Sequence, residues 1–175
     1  PEKFEGPEGI IGKFGVGLKD ALATFHRHGI SPMISSRHGT YRIAMHPKEG
    51  FEDIQTLHVM FDEEPNDMNG TDFFLEGATD DMVDAAKDLF LKFSDTEIIE
   101  ETKYGSILEP VIGEGANRVY INGVLASEEE NFLFSYNITN LTKAMRKALN
   151  RERTNVGRTT YTSRVKSILK SATSD

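Results

Sequence analysis

Ile11-Gly-Lys-Phe-Gly-Val-Gly-Leu-Lys-Asp20 sets three glycines, Gly12, Gly15 and Gly17, immediately before a run with helical spacing. Upstream, Phe4-Glu-Gly-Pro-Glu-Gly9 is rich in Gly and Pro and reads as a loop delivering the chain to that stretch. Downstream, Leu18, Leu22 and Phe25 recur on one helical face, and Gly29 supplies the stop, which predicts a helix over residues 16–28. Glycines there permit backbone angles and close approaches that a side chain blocks. Free amides at a helix N-terminus attract phosphate oxygens, because the donors are unpaired and the helix dipole is positive at that end. Lys13 and Lys19 add positive charge. On these residues alone two readings stand: a phosphate-binding loop, and a tight turn or flexible lid ahead of a core helix.

Beyond Gly29 the pattern changes to strands. Residues 31–36 and 40–46 flank the turn-rich Arg37-His-Gly39 and read as a hairpin. Residues 54–61 alternate as a further strand, the acidic Asp62-Glu-Glu-Pro-Asn-Asp67 reads as an exposed loop, and residues 71–76 are again strand-like. Thr79 is placed to cap a helix through Phe93, with Met82, Ala85, Ala86, Leu89, Phe90 and Phe93 as its buried stripe and Asp80 and Asp81 at its positive end. Residues 97–101 and 106–111 bracket a Lys-Tyr-Gly turn. Residues 118–121 and 124–126 bracket Asn122-Gly123, a strong hairpin signal. Residues 132–138 suit a strand. Two helices are expected at the end, 140–150 with Leu141, Ala144, Met145 and Ala148 on one face, and 163–171 with Val165, Ile168 and Leu169.

The whole has 175 residues, with 38% hydrophobic and 27% charged side chains, the range of one globular domain or one domain with an appendage. A formal net charge of −8 argues against a mainly electrostatic grip on nucleic acid or anionic lipid. No apolar run is long enough to cross a bilayer as a helix, so a cytoplasmic protein without membrane partners is expected. The absence of Cys excludes disulfides, thiolate nucleophiles and Cys-based zinc sites. A start at Pro1, eleven residues before Gly12, suggests that a longer chain was shortened.

The glycine stretch is not a Walker loop, which requires Gly, four residues, then Gly-Lys-Ser/Thr. It also fits a dinucleotide fingerprint poorly, since those glycines follow a strand and these follow a loop. What Gly12-Lys-Phe-Gly-Val-Gly-Leu18 does resemble is the second glycine box of the GHKL superfamily, which groups gyrase-type topoisomerases, heat-shock chaperones, histidine kinases and mismatch-repair ATPases. A second match is Gly70-Thr71, followed by Asp72-Phe-Phe-Leu75 and a helix. The resemblance covers residues 10–93, with later residues only loosely similar to transducer segments. It implies an ATP-binding (Bergerat) fold of the α+β class, a layered sandwich with helices on one face of a mixed, mostly antiparallel sheet. It implies a partial ATP-binding domain over residues 1–103 and a hairpin and two-helix segment over 104–175. Gly12, Lys13, Phe14, Gly15, Val16, Gly17 and Leu18 would wrap the phosphates of ATP, and Thr71 would reach the adenine region.

The sequence departs from the family where catalysis is concerned. The resemblance requires an upstream helix with a Glu that activates water and an Asn that holds Mg²⁺, and an Asp-x-Gly-x-Gly box whose Asp pairs with adenine. None of these is present, so no catalytic or metal residue is assigned, and this piece alone is expected to hydrolyse little ATP. In the intact protein, ATP with Mg²⁺ would drive a conformational change or homodimerisation and so act on a protein or DNA client. The alternative is a non-catalytic interaction module whose basic residues Arg151, Arg153, Arg158, Arg164, Lys166 and Lys170 bind protein or nucleic acid; one of these arginines could instead sense phosphate. His26 and His28 point apart on a helix and do not converge on a metal.

Overall fold

The helix expected after the glycines forms as α1, Gly17–Arg27, and closes through a tight turn in which the Ile30 amide donates to the Phe25 carbonyl at 2.9 Å. The strands expected next follow as β1 (Ser31–Ser36), β2 (Gly39–Lys48), β3 (Phe51–Asp62) and β4 (Thr71–Glu76). They make one antiparallel sheet in the order β3-β2-β1-β4. The computed structural model describes residues 17–113, 115–148 and 157–173. Their fold is α+β, with two mostly antiparallel sheets where the sequence suggested one, and the chain divides into two units between Met82 and Val83.

Residues opposed across an antiparallel ladder share a face. In the first unit Ile34 opposes Tyr41 and Phe73, Pro32 opposes Leu75, and Ile43 opposes Val59, which makes this face apolar. The other face mixes Ser31, Ser35, Arg42, His58 and Asp72 with Met33, Met60 and Phe74. α1 packs on β1, and its own Leu22 is buried, as are Ile30 and Ile34.

The expected helix from Thr79 to Phe93 is shorter. α2 spans Asp80–Asp88, with Thr79 Oγ1 accepting from the Met82 amide at 3.3 Å, and a single 3-10 turn follows at Leu91–Phe93. The proposed buried stripe is corrected too: α2 has no buried residue, and Met82, Leu89 and Phe93 are exposed. Backbone pairing explains the early stop. Phe90 bridges to Val124, the Leu91 amide donates to the Gly123 carbonyl at 2.9 Å, and the Leu125 amide donates to the Leu89 carbonyl at 2.9 Å. Residues 89–91 therefore lengthen a sheet instead of a helix.

That second sheet contains β5 (Ile98–Thr102), β6 (Gly105–Leu108), β7 (Asn117–Ile121), β8 (Val124–Glu129) and β9 (Ser135–Ile138), in the order β5-β6-β9-β7-β8. β7 and β9 are parallel, and the remaining pairs are antiparallel. Asn122 and Gly123 take φ of 51° and 76°, the left-handed pair that a two-residue hairpin turn of matching twist requires. α3 (Lys143–Ala148) and α4 (Arg158–Ser171) close the described chain. Val119, Ile121 and Ile138 from the sheet meet Met145 from α3 and Tyr161, Val165 and Ile168 from α4, all nearly inaccessible to water. Each such aliphatic side chain contributes about 1.5–3 kcal/mol by leaving water. α4 begins five residues before the expected 163, because Tyr161 falls four residues before Val165 and joins the same buried stripe.

Candidate functional site

Of the residues expected to wrap phosphate, Gly12, Lys13, Phe14, Gly15 and Val16 lie outside the described residues. Gly17 and Leu18 open α1, where the first-turn amides have no intrahelical acceptor. Among the described residues, an added Cβ at Gly17 would meet nothing within 4 Å, so their packing does not demand glycine there. A tight turn joins α1 to β1, and the helix packs on that strand.

Thr71 opens β4 and is exposed. The acidic loop before it is tied to this same end by one side chain. Asn66 donates through Nδ2 to the Ser36 carbonyl at 3.1 Å, its amide donates to the Arg37 carbonyl at 3.0 Å, and its Oδ1 accepts from the Met68 amide at 2.8 Å. The Ser36–Thr71 pairing and the Asn66 bonds thus bring Thr71 and the acidic loop to one end of β1. Asn66 was not singled out by sequence; an Asx turn inside an acidic run is the signal that marks it.

The second unit holds two polar clusters that sequence reasoning missed. In the first, the Tyr161 hydroxyl donates to the Glu129 carboxylate and lies 3.0 Å from Ser127 Oγ. Glu129 also pairs with Arg158 Nε at 3.2 Å, and the Arg158 guanidinium sits 5.6 Å from the centre of the Phe132 ring. Burial, and then the bond to Glu129, push the Tyr161 phenol above its ordinary value. In the second, Arg118 grips Asp88 with both terminal nitrogens, at 2.7 and 2.9 Å, and reaches Glu128 at 3.3 Å. Asp88 is held below the usual carboxylate range chiefly by its hydrogen bond to Arg118. Partners 30 residues apart leave no local pattern that would expose such a pair in the sequence.

Arg158 is therefore engaged by Glu129 and Phe132, while Arg151 and Arg153 lie outside the described residues. Along α4, Arg158, Thr159, Thr162, Ser163 and Lys166 line a shallow open cavity of about 400 Å³. Among the described residues no three His, Asp or Glu side chains gather as a metal site, and no helix is long and apolar enough to cross a membrane.

These features define an α+β protein with α1 packed on a four-stranded sheet in one unit and a cationic helix, α4, in the other. Residues 81–175, more than half of the chain, match the family described as the Mycoplasma pneumoniae MPN635 N-terminal domain, and the chain belongs to that family. It is 35% identical over 167 residues to an uncharacterized protein of Mycoplasma pneumoniae, an alignment covering 94% of this chain and 66% of the relative. A second uncharacterized protein of that organism is 34% identical over 103 residues, 58% of this chain and 29% of the relative. The chain thus spans less than two thirds of either relative's length. No solved structure matches it.

Proposed function

We propose that this chain supplies the phosphate-gripping part of a GHKL-type ATP-binding domain, and that the intact protein binds Mg-ATP and hydrolyses it to drive a conformational change or dimerisation. The observation that supports the reading is that the residues following the glycine run in sequence form α1, and that Gly70-Thr71 leads into β4 further along. Free first-turn amides and a positive dipole suit the β- and γ-phosphates, and glycine at position 17 leaves them approachable. The order helix, three strands, Gly-Thr strand, helix is the order the resemblance implies. The Mg²⁺ ligand, the general base and the adenine-pairing Asp would come from polypeptide other than this chain.

Gly17→Ala is the informative variant. Its methyl meets no atom of the described residues within 4 Å, and alanine is the better helix former, so the fold should be retained. Titration calorimetry of Mg-ATP into the intact Mycoplasma pneumoniae relative and into this chain tests the reading. Binding by the relative is expected, with weaker binding or none by this chain. The change matching Gly17→Ala should weaken the relative's affinity about tenfold, some 1.4 kcal/mol. Binding by neither protein would falsify the nucleotide reading. Robust ATP turnover by this chain alone would overturn the assignment of its catalytic groups to other polypeptide.

The second reading, a non-catalytic module that binds an acidic protein or nucleic acid, is favoured by one observation: Arg158 and Lys166 face a common open cavity with three hydroxyl side chains. It predicts affinity that falls steeply with salt and is lost on Lys166→Glu.

A further inference from the structure

His46 on β2 and His58 on β3 stand on one face of the first sheet. Thr56 opposes His46 and Ala44 opposes His58, so the two histidines are diagonal neighbours across the ladder. Thr56 draws the second ring toward the first. Its Oγ1 lies 2.9 Å from His58 Nε2, so the His58 ring leans along β3 toward the residue that Thr56 opposes. The two imidazole centres lie 5.8 Å apart, with their planes 73° to one another. Both histidines are exposed, and Thr56 is half-buried. Two imidazoles bound to one ion, with metal–nitrogen bonds of about 2.0–2.1 Å, have their ring centres about 5–6 Å apart. The pair therefore stands at chelating distance before any ion arrives.

We propose that His46 and His58 form a two-histidine chelate for a late first-row divalent ion, Zn²⁺ or Cu²⁺, with water filling the remaining positions. Neutral imidazole suits these ions, whereas Mg²⁺ and Ca²⁺ take oxygen ligands. The Thr56 hydroxyl orients the His58 ring as an outer-shell oxygen does at other ligating histidines. β2 and β3 are the longest strands of their sheet, β3 lies at its edge, and the core beside them is small, with Leu22, Ile30 and Ile34 buried. An ion held by one histidine from each strand staples that edge, and binding free energy of this kind becomes folding free energy. The chelate lies apart from the glycine run and Thr71, and it stands or falls independently of nucleotide binding.

The test titrates Zn²⁺ by calorimetry into the metal-free 175-residue chain. One ion per chain should bind. His46→Gln and His58→Gln should each weaken the affinity about tenfold or more, since removal of even an outer-shell partner costs that much. His26→Gln/His28→Gln, which alters the histidines of α1, should leave the affinity unchanged. His46 and His58 are exposed, so the circular dichroism of their variants should match the parent; should one variant misfold, the other is read. Saturating Zn²⁺ should slow amide exchange in β2 and β3 of the parent and leave exchange in His46→Gln/His58→Gln unaltered. The absence of saturable binding would overturn the proposal, as would binding that survives in the double variant. A stoichiometry of one ion per two chains would overturn it in favour of a site shared between copies.

Discussion

Tyr161 is nearly inaccessible, and its hydroxyl supplies one proton to a carboxylate that also pairs with Arg158. Tyr161→Phe keeps the ring in the core and removes that donor. A hydrogen bond to a charged group of this kind is worth about 1.5 kcal/mol or somewhat more, and chemical denaturation should show a loss of that size. Phenylalanine also changes the pH response. Burial raises both Tyr136 and Tyr161 above the ordinary 10.0, so the folded chain keeps protons that the unfolded chain gives up. Their stabilisation is complete below pH 10 and is lost as pH rises from there through the raised values. The melting temperature should therefore fall above pH 10, and less steeply in Tyr161→Phe than in the unaltered chain. Equal slopes would mean that Tyr161 titrates normally.

At the scale of elements, the link between α2 and the β7–β8 hairpin is the feature with a measurable strength. Arg118 on β7 holds Asp88 at the end of α2 bidentately, but the Asp88 side chain is 58% exposed, so solvent screens much of the attraction. A double-mutant cycle with Asp88→Ala and Arg118→Ala should give a coupling of about 0.5–1 kcal/mol at neutral pH. Because the Asp88 value is depressed, that coupling is present above the ordinary carboxylate range and disappears as pH falls through the depressed value. A coupling that persisted at pH 2 would show packing, not charge. This link also shows why the sequence misled at α2. Met82, Ala85, Ala86, Leu89, Phe90 and Phe93 have a helical period, yet residues 89–91 find backbone partners on Gly123 and Val124 that no periodicity reveals. Where turn chemistry is local the reading succeeded, as at Asn122-Gly123, and the span of β4 was legible to the residue. The start of α4 was not, because its Thr-rich first turn has poor helix propensity and is recruited by burial of Tyr161. At the candidate site, the helix after the glycines and the Gly-Thr strand could be read along the chain. The pairing of Thr71 with Ser36, and the Asn66 ties, depend on contacts between residues about 30 or more apart in the chain, which no local pattern reveals.

The two units of the molecule differ in how much apolar surface they bury, and stability should follow that difference. Residues 83–173 close Val119, Ile121, Ile138, Met145, Tyr161 and Ile168 into one core, whereas residues 17–82 bury only Leu22, Ile30 and Ile34 among their large aliphatic and aromatic side chains. Amides on central strands of a closed core exchange only through near-global opening, and amides beside exposed apolar surface exchange through cheaper local opening. Native-state hydrogen exchange should therefore rank β6, β7 and β9 as the slowest strands and β3 and β4 among the fastest. Ile168→Ala sharpens the comparison. Ile168 is fully buried, so its truncation should cost about 2–5 kcal/mol and speed exchange in β6, β7 and β9 by a corresponding factor. Local opening of β3 and β4 does not pass through that core, so their exchange should change little. A uniform acceleration of all nine described strands would instead show one cooperative unit, and would mean that the sparsely packed first sheet draws its stability from the second.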